Sequence, residues 1–155
     1  ENLFPILNRL AEAIAPGSDG VVCEPFFTGT RYNPEWRASW SRLSTANFTP
    51  GHLVRSLLEG MAGTLRTSAA RMEKALMKPP SFLVGAGNGI SSNPLLSRIL
   101  SELFHQPMHI PLLEEEAAIG AVRLAAIRAG AFEDLQTSAR LIRYTEDQPS
   151  EEDRS

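Results

Sequence analysis

The residues of this sequence best suited to chemistry form a glycine-rich segment, Gly85-Ala86-Gly87-Asn88-Gly89. It follows a short apolar run at residues 81–84 and precedes Asn93-Pro94, a pair typical of a helix start. Glycines let a ligand approach the main chain and leave its N–H groups uncovered, and a helix start adds partial positive charge. The segment therefore predicts either a loop that binds a nucleotide or a plain tight turn between a strand and a helix.

Two common nucleotide motifs do not match the segment. A dinucleotide loop requires the pattern Gly-x-Gly-x-x-Gly and an acidic residue at the end of the next strand. Here the third glycine comes one position early, and the next predicted strand ends in His109-Ile110-Pro111. A Walker-type phosphate loop requires a following Gly-Lys-Ser/Thr, which this sequence lacks.

Other side chains with chemical potential are interpreted first as structural. Arg31, on a loop after Gly29, is interpreted as a partner in a structural ion pair or, alternatively, as a charge contact with a bound nucleotide or substrate across a cleft. We expect a cap or packing role for His52, and burial for the single cysteine, Cys23. Structural roles are also expected for His105, His109, Trp36 and Trp40.

Periodicity and breaker residues predict the elements that position the glycine-rich segment. The order is a helix to about residue 15, a strand at 21–27, an edge strand or hairpin arm at 37–43, a helix at 50–77, a strand at 81–84, a helix after residue 93, a strand at 108–111, a helix from about 114 to 130 and a short helix at 132–142. Thr49 is expected to cap the long helix and Pro50 to open it. Gly60 and Gly63 within this helix indicate a close contact between the helix and a sheet, because each costs about 1 kcal/mol relative to alanine in a helix interior. Alternation of this kind favours a three-layer α/β arrangement.

Composition excludes several classes of protein. The chain has 155 residues, a net charge of -3 and no basic tract, so binding to nucleic acid has no electrostatic support. No apolar run approaches the roughly 20 residues of a membrane helix. One cysteine and no Cys/His cluster leave no intrachain disulfide and no metal site. A cytoplasmic location is the default expectation, since no signal peptide is visible.

The acidic end of the chain is predicted to lie outside the folded part. Residues 1–143 are expected to form one domain. Residues 144–155 contain no core residue and are expected to be a disordered tail or linker.

Four blocks, in order, resemble the C-terminal domain of FGGY carbohydrate kinases. They are the loop at residues 24–34, which contains Thr28-Gly29-Thr30-Arg31; the long helix and its lead-in at 43–60; the glycine motif at 82–89 with Asn93-Pro94-Leu95; and Glu115-Glu116-Ala117-Ala118-Ile119-Gly120-Ala121. Within the family, Thr30-Arg31-Tyr32 and the Asn-Phe-Thr-Pro-Gly-His run at 47–52 are most similar to the sedoheptulose kinase branch.

The resemblance implies an actin-like, ribonuclease-H-like ATPase domain with a mixed central sheet flanked by helices. It implies ATP as the cofactor, with Mg²⁺ held mainly through the nucleotide and a separate N-terminal kinase domain. That domain is expected to hold the sugar and the catalytic base, so no catalytic residue is expected in this chain, and Glu24, Glu35 and Glu59 are interpreted as structural or solvated carboxylates. Gly85, Ala86 and Gly87 are expected to let the nucleotide lie against the backbone, with Asn88 or Asn93 hydrogen-bonded to the adenosine.

The resulting hypothesis is the ATP-binding half of a kinase that phosphorylates a primary hydroxyl of a ketose, with sedoheptulose as the sugar. A rival hypothesis is a non-catalytic, actin-like nucleotide-binding module with a regulatory or assembly role. A third is a small binding domain that takes no nucleotide.

Overall fold

A computed structural model describes residues 3–77, 80, 82–112 and 115–146. The helices are α1 (Phe4–Glu12), α2 (Pro50–Leu76), α3 (Asn88–Ser91), α4 (Pro94–Phe104), α5 (Glu116–Arg128) and α6 (Leu135–Ser138), with single 3₁₀ turns at Ser18–Gly20 and Ala139–Leu141. The strands are β1 (Val22–Glu24), β2 (Ser39–Ser41), β3 (Leu83–Val84), β4 (Met108–Pro111) and β5 (Tyr144–Glu146). In the described part of the chain, no helix combines the length and apolar content needed to span a membrane.

Local sequence signals predict both ends of the 27-residue helix α2. The Thr49 side chain accepts a hydrogen bond from the His52 N–H, and Pro50 occupies the first helical position, which confirms the predicted cap. Met77 ends the helix in the left-handed conformation with φ 52°.

The core lies where α1, α2 and α4 meet β4. Its members are apolar and almost fully buried: Ala11, Leu58, Ala62, Leu95, Leu96, Ile99, Leu100 and Met108. All except Met108, which lies on β4, belong to helix faces on which apolar residues recur every three to four positions. Burial of these faces packs the helices together.

The strands form two sheets in the described residues. Strands β1 and β2 pair antiparallel with Cys23 opposite Trp40, which confirms the predicted hairpin arm. Strand β4 pairs parallel with β3 and antiparallel with β5, so the second sheet is mixed. The architecture is α/β with helices against a mixed sheet, as the sequence predicts.

The predicted boundary at residue 143 is wrong for the three residues that follow it. Tyr144–Glu146 form β5, in which Thr145 lies opposite Ile110, so the domain extends at least to residue 146. The pairing of β5 with β4 satisfies backbone N–H and C=O groups of both strands. Because the two strands are distant in sequence, no local pattern predicts this pairing. The rest of the predicted tail, 147–155, lies outside the described residues.

Other bounds differ from the predictions by local effects. Strand β1 ends at Glu24 because Pro25 follows and has no N–H to donate. The predicted helix at 132–142 reduces to α6 and one 3₁₀ turn. The short helix α3 was not predicted, since Gly87 directly before it and Gly89 within it disfavour a helix.

Two glycines within α2 have different surroundings. A Cβ on Gly60 would collide with the main-chain oxygen of Cys23, so this glycine permits the close contact of α2 with β1 that the sequence predicted. Gly63 was expected to serve the same purpose, but a Cβ there would meet nothing within 4 Å, so that expectation is wrong.

These two glycines provide a matched pair of substitutions. Gly63→Ala should raise the free energy of unfolding by about 0.5–1 kcal/mol, because alanine is the better helix former and meets no obstacle. Gly60→Ala should lower it by about 1–3 kcal/mol, because the added methyl forces α2 away from β1. Denaturant unfolding of both variants measures the two values, and a stabilised Gly60→Ala protein would contradict the close contact.

Candidate functional site

The first glycine of the glycine-rich segment belongs to the core. Gly85 is buried, its N–H donates to the His109 carbonyl over 3.0 Å, and a Cβ there would collide with Ile90 and Met108. Its lack of a side chain therefore serves the contact of β3 with β4 and α3. The contact expected between the Gly85 backbone and a nucleotide stays a prediction.

The next two residues are less buried than Gly85. Ala86 is exposed and Gly87 is half-buried. Gly87 has φ 88° and ψ 155°, a conformation open essentially to glycine alone, and its carbonyl accepts the N–H groups of Ile90 and Ser91 at the start of α3. The main chain around Ala86 is thus uncovered beside α3, as the sequence predicts.

A groove of about 670 Å³ begins beside this segment and runs along α1. It is lined by Phe4, Pro5 and Asn8 from α1 and by Asn88, Gly89, Ser92, Asn93 and Pro94 from α3 and the start of α4. The structure therefore brings together the two asparagines that the sequence singled out. Sequence reasoning did not predict that α1 forms one side of the groove. The one local signal for this is the four-residue spacing that places Phe4 and Asn8 on one helix face.

Among the residues that the structure describes, those that line this groove have no ionisable side chain. Charged groups such as phosphates are held by Arg, Lys, or uncovered helix N–H groups. At the start of α4, the Leu96 N–H donates to the Asn93 side-chain oxygen over 3.1 Å and the Ser97 N–H donates to the Asn93 carbonyl over 3.2 Å. The groove thus suits the uncharged part of a ligand, and two of the N–H groups at this helix start are already engaged within the chain.

The asparagine side chains of the groove differ in which hydrogen-bonding groups they leave available to a ligand. The Asn93 Oδ1 is fixed by its cap to Leu96, which leaves its Nδ2 as a donor. The side chains of Asn8 and Asn88 make no hydrogen bond to any described residue, so both keep a donor and an acceptor for a ligand.

Arg31 lies apart from this groove. It is exposed on the loop between β1 and β2 and is not among the residues that line the groove. The structure gives Arg31 no ion pair among the described residues, so the structural pair expected for it is not formed here.

Glu59 is a structural carboxylate, as predicted. Its Oε1 accepts from the Gly17 N–H over 2.9 Å and from Arg55 Nε over 2.7 Å, and its Oε2 accepts from the Ser18 hydroxyl over 2.9 Å. Arg55 and Ser18 are buried. The carboxylate therefore fastens the turn after α1 to the middle of α2.

The histidines also have structural roles. His52 is buried, with Nδ1 2.7 Å from the Thr49 hydroxyl and Nε2 2.9 Å from Asp19 Oδ2, so it ties the same turn to the start of α2. His105 ends α4 with φ 53°, and the His109 ring contacts Phe82 and Tyr144 edge-on.

The aromatic residues of the β1–β2 hairpin pack locally, as predicted. Trp36 contacts Phe26 with ring centroids 5.0 Å apart, and Trp40 contacts Phe27 at 6.0 Å. Trp40 also donates from Nε1 to the Leu53 carbonyl over 3.2 Å.

Cys23 is a buried thiol without the features of a nucleophile. Burial, and secondarily the nearby charge of Glu24, raise the pKa of Cys23 to about 11. The reactive thiolate is therefore rare at neutral pH.

Among the described residues, no three His, Cys, Asp or Glu side chains lie close enough to hold a metal ion. The groove lining likewise offers no carboxylate for Mg²⁺, which prefers oxygen ligands. The residues present do not fit a protein-held magnesium site.

Comparisons with known proteins agree on one family. The model for the FGGY family of carbohydrate kinases, C-terminal domain, matches residues 4–129. The chain is 25% identical over 145 residues to the gluconokinase of Bacillus subtilis, covering 92% of this chain and 28% of that protein. It is 29% identical over 137 residues to the xylulose kinase of Lactococcus lactis, covering 86% and 27%.

A solved structure supports the same fold. The crystal structure of xylulose kinase from Rhodospirillum rubrum superimposes with a TM-score of 0.79 at 28% identity, covering 96% of this chain and 30% of that one. The likeness confirms the predicted actin-like, ribonuclease-H-like fold. The chain spans less than a third of the length of these relatives.

Removal of the Glu59 carboxylate should be costly. Glu59→Ala leaves the buried Arg55 guanidinium without its partner, and we expect a loss of about 3–5 kcal/mol in the free energy of unfolding. Glu73→Ala is the control, because it breaks the more exposed pair with Arg66 on the same helix and should cost at most about 1 kcal/mol. Equal losses in chemical denaturation would contradict the role given to Glu59.

The raised pKa of Cys23 predicts a pH dependence. Since the fold favours the protonated thiol, stability should fall as pH rises from about 9, where the unfolded thiol ionises, to about 11, where the folded one does. Unfolding transitions measured across this range, with Cys23→Ala as the control, test the effect. A Cys23-independent profile would contradict it.

Proposed function

Because the chain belongs to the FGGY family of carbohydrate kinases, as a C-terminal domain, we propose that it forms the nucleotide-binding part of an ATP-dependent sugar kinase. The observation that carries the proposal is the uncharged groove that begins beside Ala86 and Gly87 and contains Asn88 and Asn93. Its volume of about 670 Å³ lies in the usual range for small-molecule sites.

The residues of the groove have the chemistry to bind adenosine. Phe4 and Pro5 provide apolar surface, and the amides of Asn8, Asn88 and Asn93 provide hydrogen bonds. Ala86 and Gly87 leave the adjacent main chain accessible, so that the phosphates can continue past the groove toward solvent. This division would leave the phosphates at the mouth of the groove, where a second domain can reach them.

The rest of the reaction depends on groups that the described residues do not provide. When bound, ATP supplies the γ-phosphoryl group, and phosphoryl transfer depends chiefly on positioning and charge stabilisation. The carboxylates expected to be structural include Glu59, which is fully engaged, and Glu24, which accepts from Ser39 across the hairpin. We propose that the remaining part of a full-length kinase supplies the catalytic base, most of the sugar site and the Mg²⁺ contacts, and that closure of the two parts excludes water.

The sugar is proposed to be a ketose, phosphorylated on a primary hydroxyl. The relatives described above are named for gluconate and xylulose, so the comparisons support a kinase of small polyhydroxylated substrates. Sedoheptulose rests on the similarity of residues 30–32 and 47–52 to one branch of the family. A cytoplasmic location also stays a prediction.

The isolated chain should bind adenine nucleotides weakly and should not phosphorylate any ketose. Addition of millimolar ADP is expected to shift backbone amide resonances near Gly87 with little dependence on Mg²⁺, because the groove contacts involve the nucleoside and not the metal. Unchanged spectra would contradict the groove assignment. Turnover by the purified chain would contradict the location of the base.

The full-length protein tests the reaction. Assayed with ATP against a panel of ketoses and aldonic acids, it should phosphorylate at least one, and a preference for sedoheptulose would support the finer assignment. Nucleotide binding without any phosphoryl transfer would instead favour the non-catalytic, actin-like module.

A further inference from the structure

We propose that this groove binds adenine and guanine nucleotides with similar affinity, because its hydrogen-bonding side chains do not distinguish the two bases. The inference rests on the proposed function, since it concerns the same site. It extends that function by assigning the class of phosphoryl donor as purine nucleotides in general.

Adenine and guanine share some hydrogen-bonding positions and differ at others. Both present N7 and N3 as acceptors. At position 6 adenine carries a donor amino group where guanine carries an acceptor oxygen, at N1 adenine accepts where guanine donates, and guanine adds a donor amino group at position 2. A site discriminates between them only where a protein group is restricted to donating or to accepting at a position that differs.

Among the described side-chain amides of the groove, that of Asn93 has a fixed role. Its Oδ1 accepts from the Leu96 N–H at the start of α4, so its Nδ2 can act only as a donor toward a ligand. The proposal places this donor against N7 or N3, which are acceptors in both purines, so that it meets an atom that the two bases have in common.

The other two amides are adaptable. Asn8 on α1 and Asn88 on α3 line the groove and make no side-chain hydrogen bond to any described residue. Rotation of a terminal amide exchanges its donor for its acceptor, so each side chain can meet either the amino group of adenine or the oxygen of guanine. These are the groups available to read the edge at which the bases differ, and neither is committed.

Charged side chains are one common means of discrimination, since a carboxylate only accepts and a lysine or arginine only donates. Among the described residues, none of those that line the groove has such a side chain. The ion pair of Arg98 with Glu12 lies outside this lining.

Titration of the chain with ADP and GDP under identical conditions tests the inference. The two dissociation constants should agree within about threefold, whereas a committed donor or acceptor would separate them by roughly tenfold or more. A preference of that size for either nucleotide would overturn the inference while leaving the proposed function intact. Failure of both nucleotides to bind at millimolar concentration would remove the proposed function itself.

Three substitutions of asparagine by aspartate assign the roles. Asn8→Asp and Asn88→Asp each create a group that only accepts, so at least one should change the ratio of ADP to GDP affinity by about tenfold. An acceptor facing position 6 favours ADP, and one facing the 2-amino group favours GDP. The added charge repels both diphosphates alike and cancels in the ratio.

Asn93→Asp is the matched control. Aspartate is an equally good helix cap, so α4 is retained, but the donor is lost. Both affinities should fall together with the ratio unchanged. If the ratio stays unchanged in Asn8→Asp and Asn88→Asp as well, with the proteins folded, these amides do not read the base and the inference is wrong.

Discussion

The arrangement of this domain depends on the close contact of α2 with the elements packed against it. At two points the contact is main chain against main chain: Gly51 against the Leu10 carbonyl of α1, and Gly60 against the Cys23 carbonyl of β1. A side chain at either position would collide with the facing carbonyl and force α2 away from α1 or β1. The core contacts of Leu58 and Ala62 would then be weakened as well. The absence of two side chains thus fixes where α1 and β1 lie.

The turn between α1 and β1 shows how that contact is secured. Gly17, Ser18, Asp19 and Gly20 all have positive φ, which is costly for Ser18 and Asp19. Glu59 and His52 of α2 hold this turn through the Gly17 N–H, the Ser18 hydroxyl and the Asp19 carboxylate. Because the turn follows α1 directly, these bonds help to set the position of the helix whose first residues form one wall of the groove.

The groove combines an uncovered main chain with uncharged amides, and this combination restricts what it can hold. It suits the base and ribose of a nucleotide, while the phosphates and their metal need groups from elsewhere. A chain that spans less than a third of its kinase relatives is consistent with half of a cleft. Under the proposed function, this groove recognises the nucleoside and the chemistry of transfer takes place elsewhere.

Local sequence determined the features that depend on neighbouring residues alone. The Thr49-Pro50 and Asn93-Pro94 helix starts, the hairpin arm near Trp40 and the open turn at Ala86 follow from caps, ring constraints and glycine conformations that act within a few residues. Resemblance in four ordered blocks gave the family. Tertiary structure alone decided that Gly85 serves the core, that Gly60 but not Gly63 is required, that residues 144–146 complete a sheet and that α1 supplies Asn8 to the groove. Each of these features depends on contacts between residues that are distant in sequence. Residue spacing within one segment does not predict such contacts.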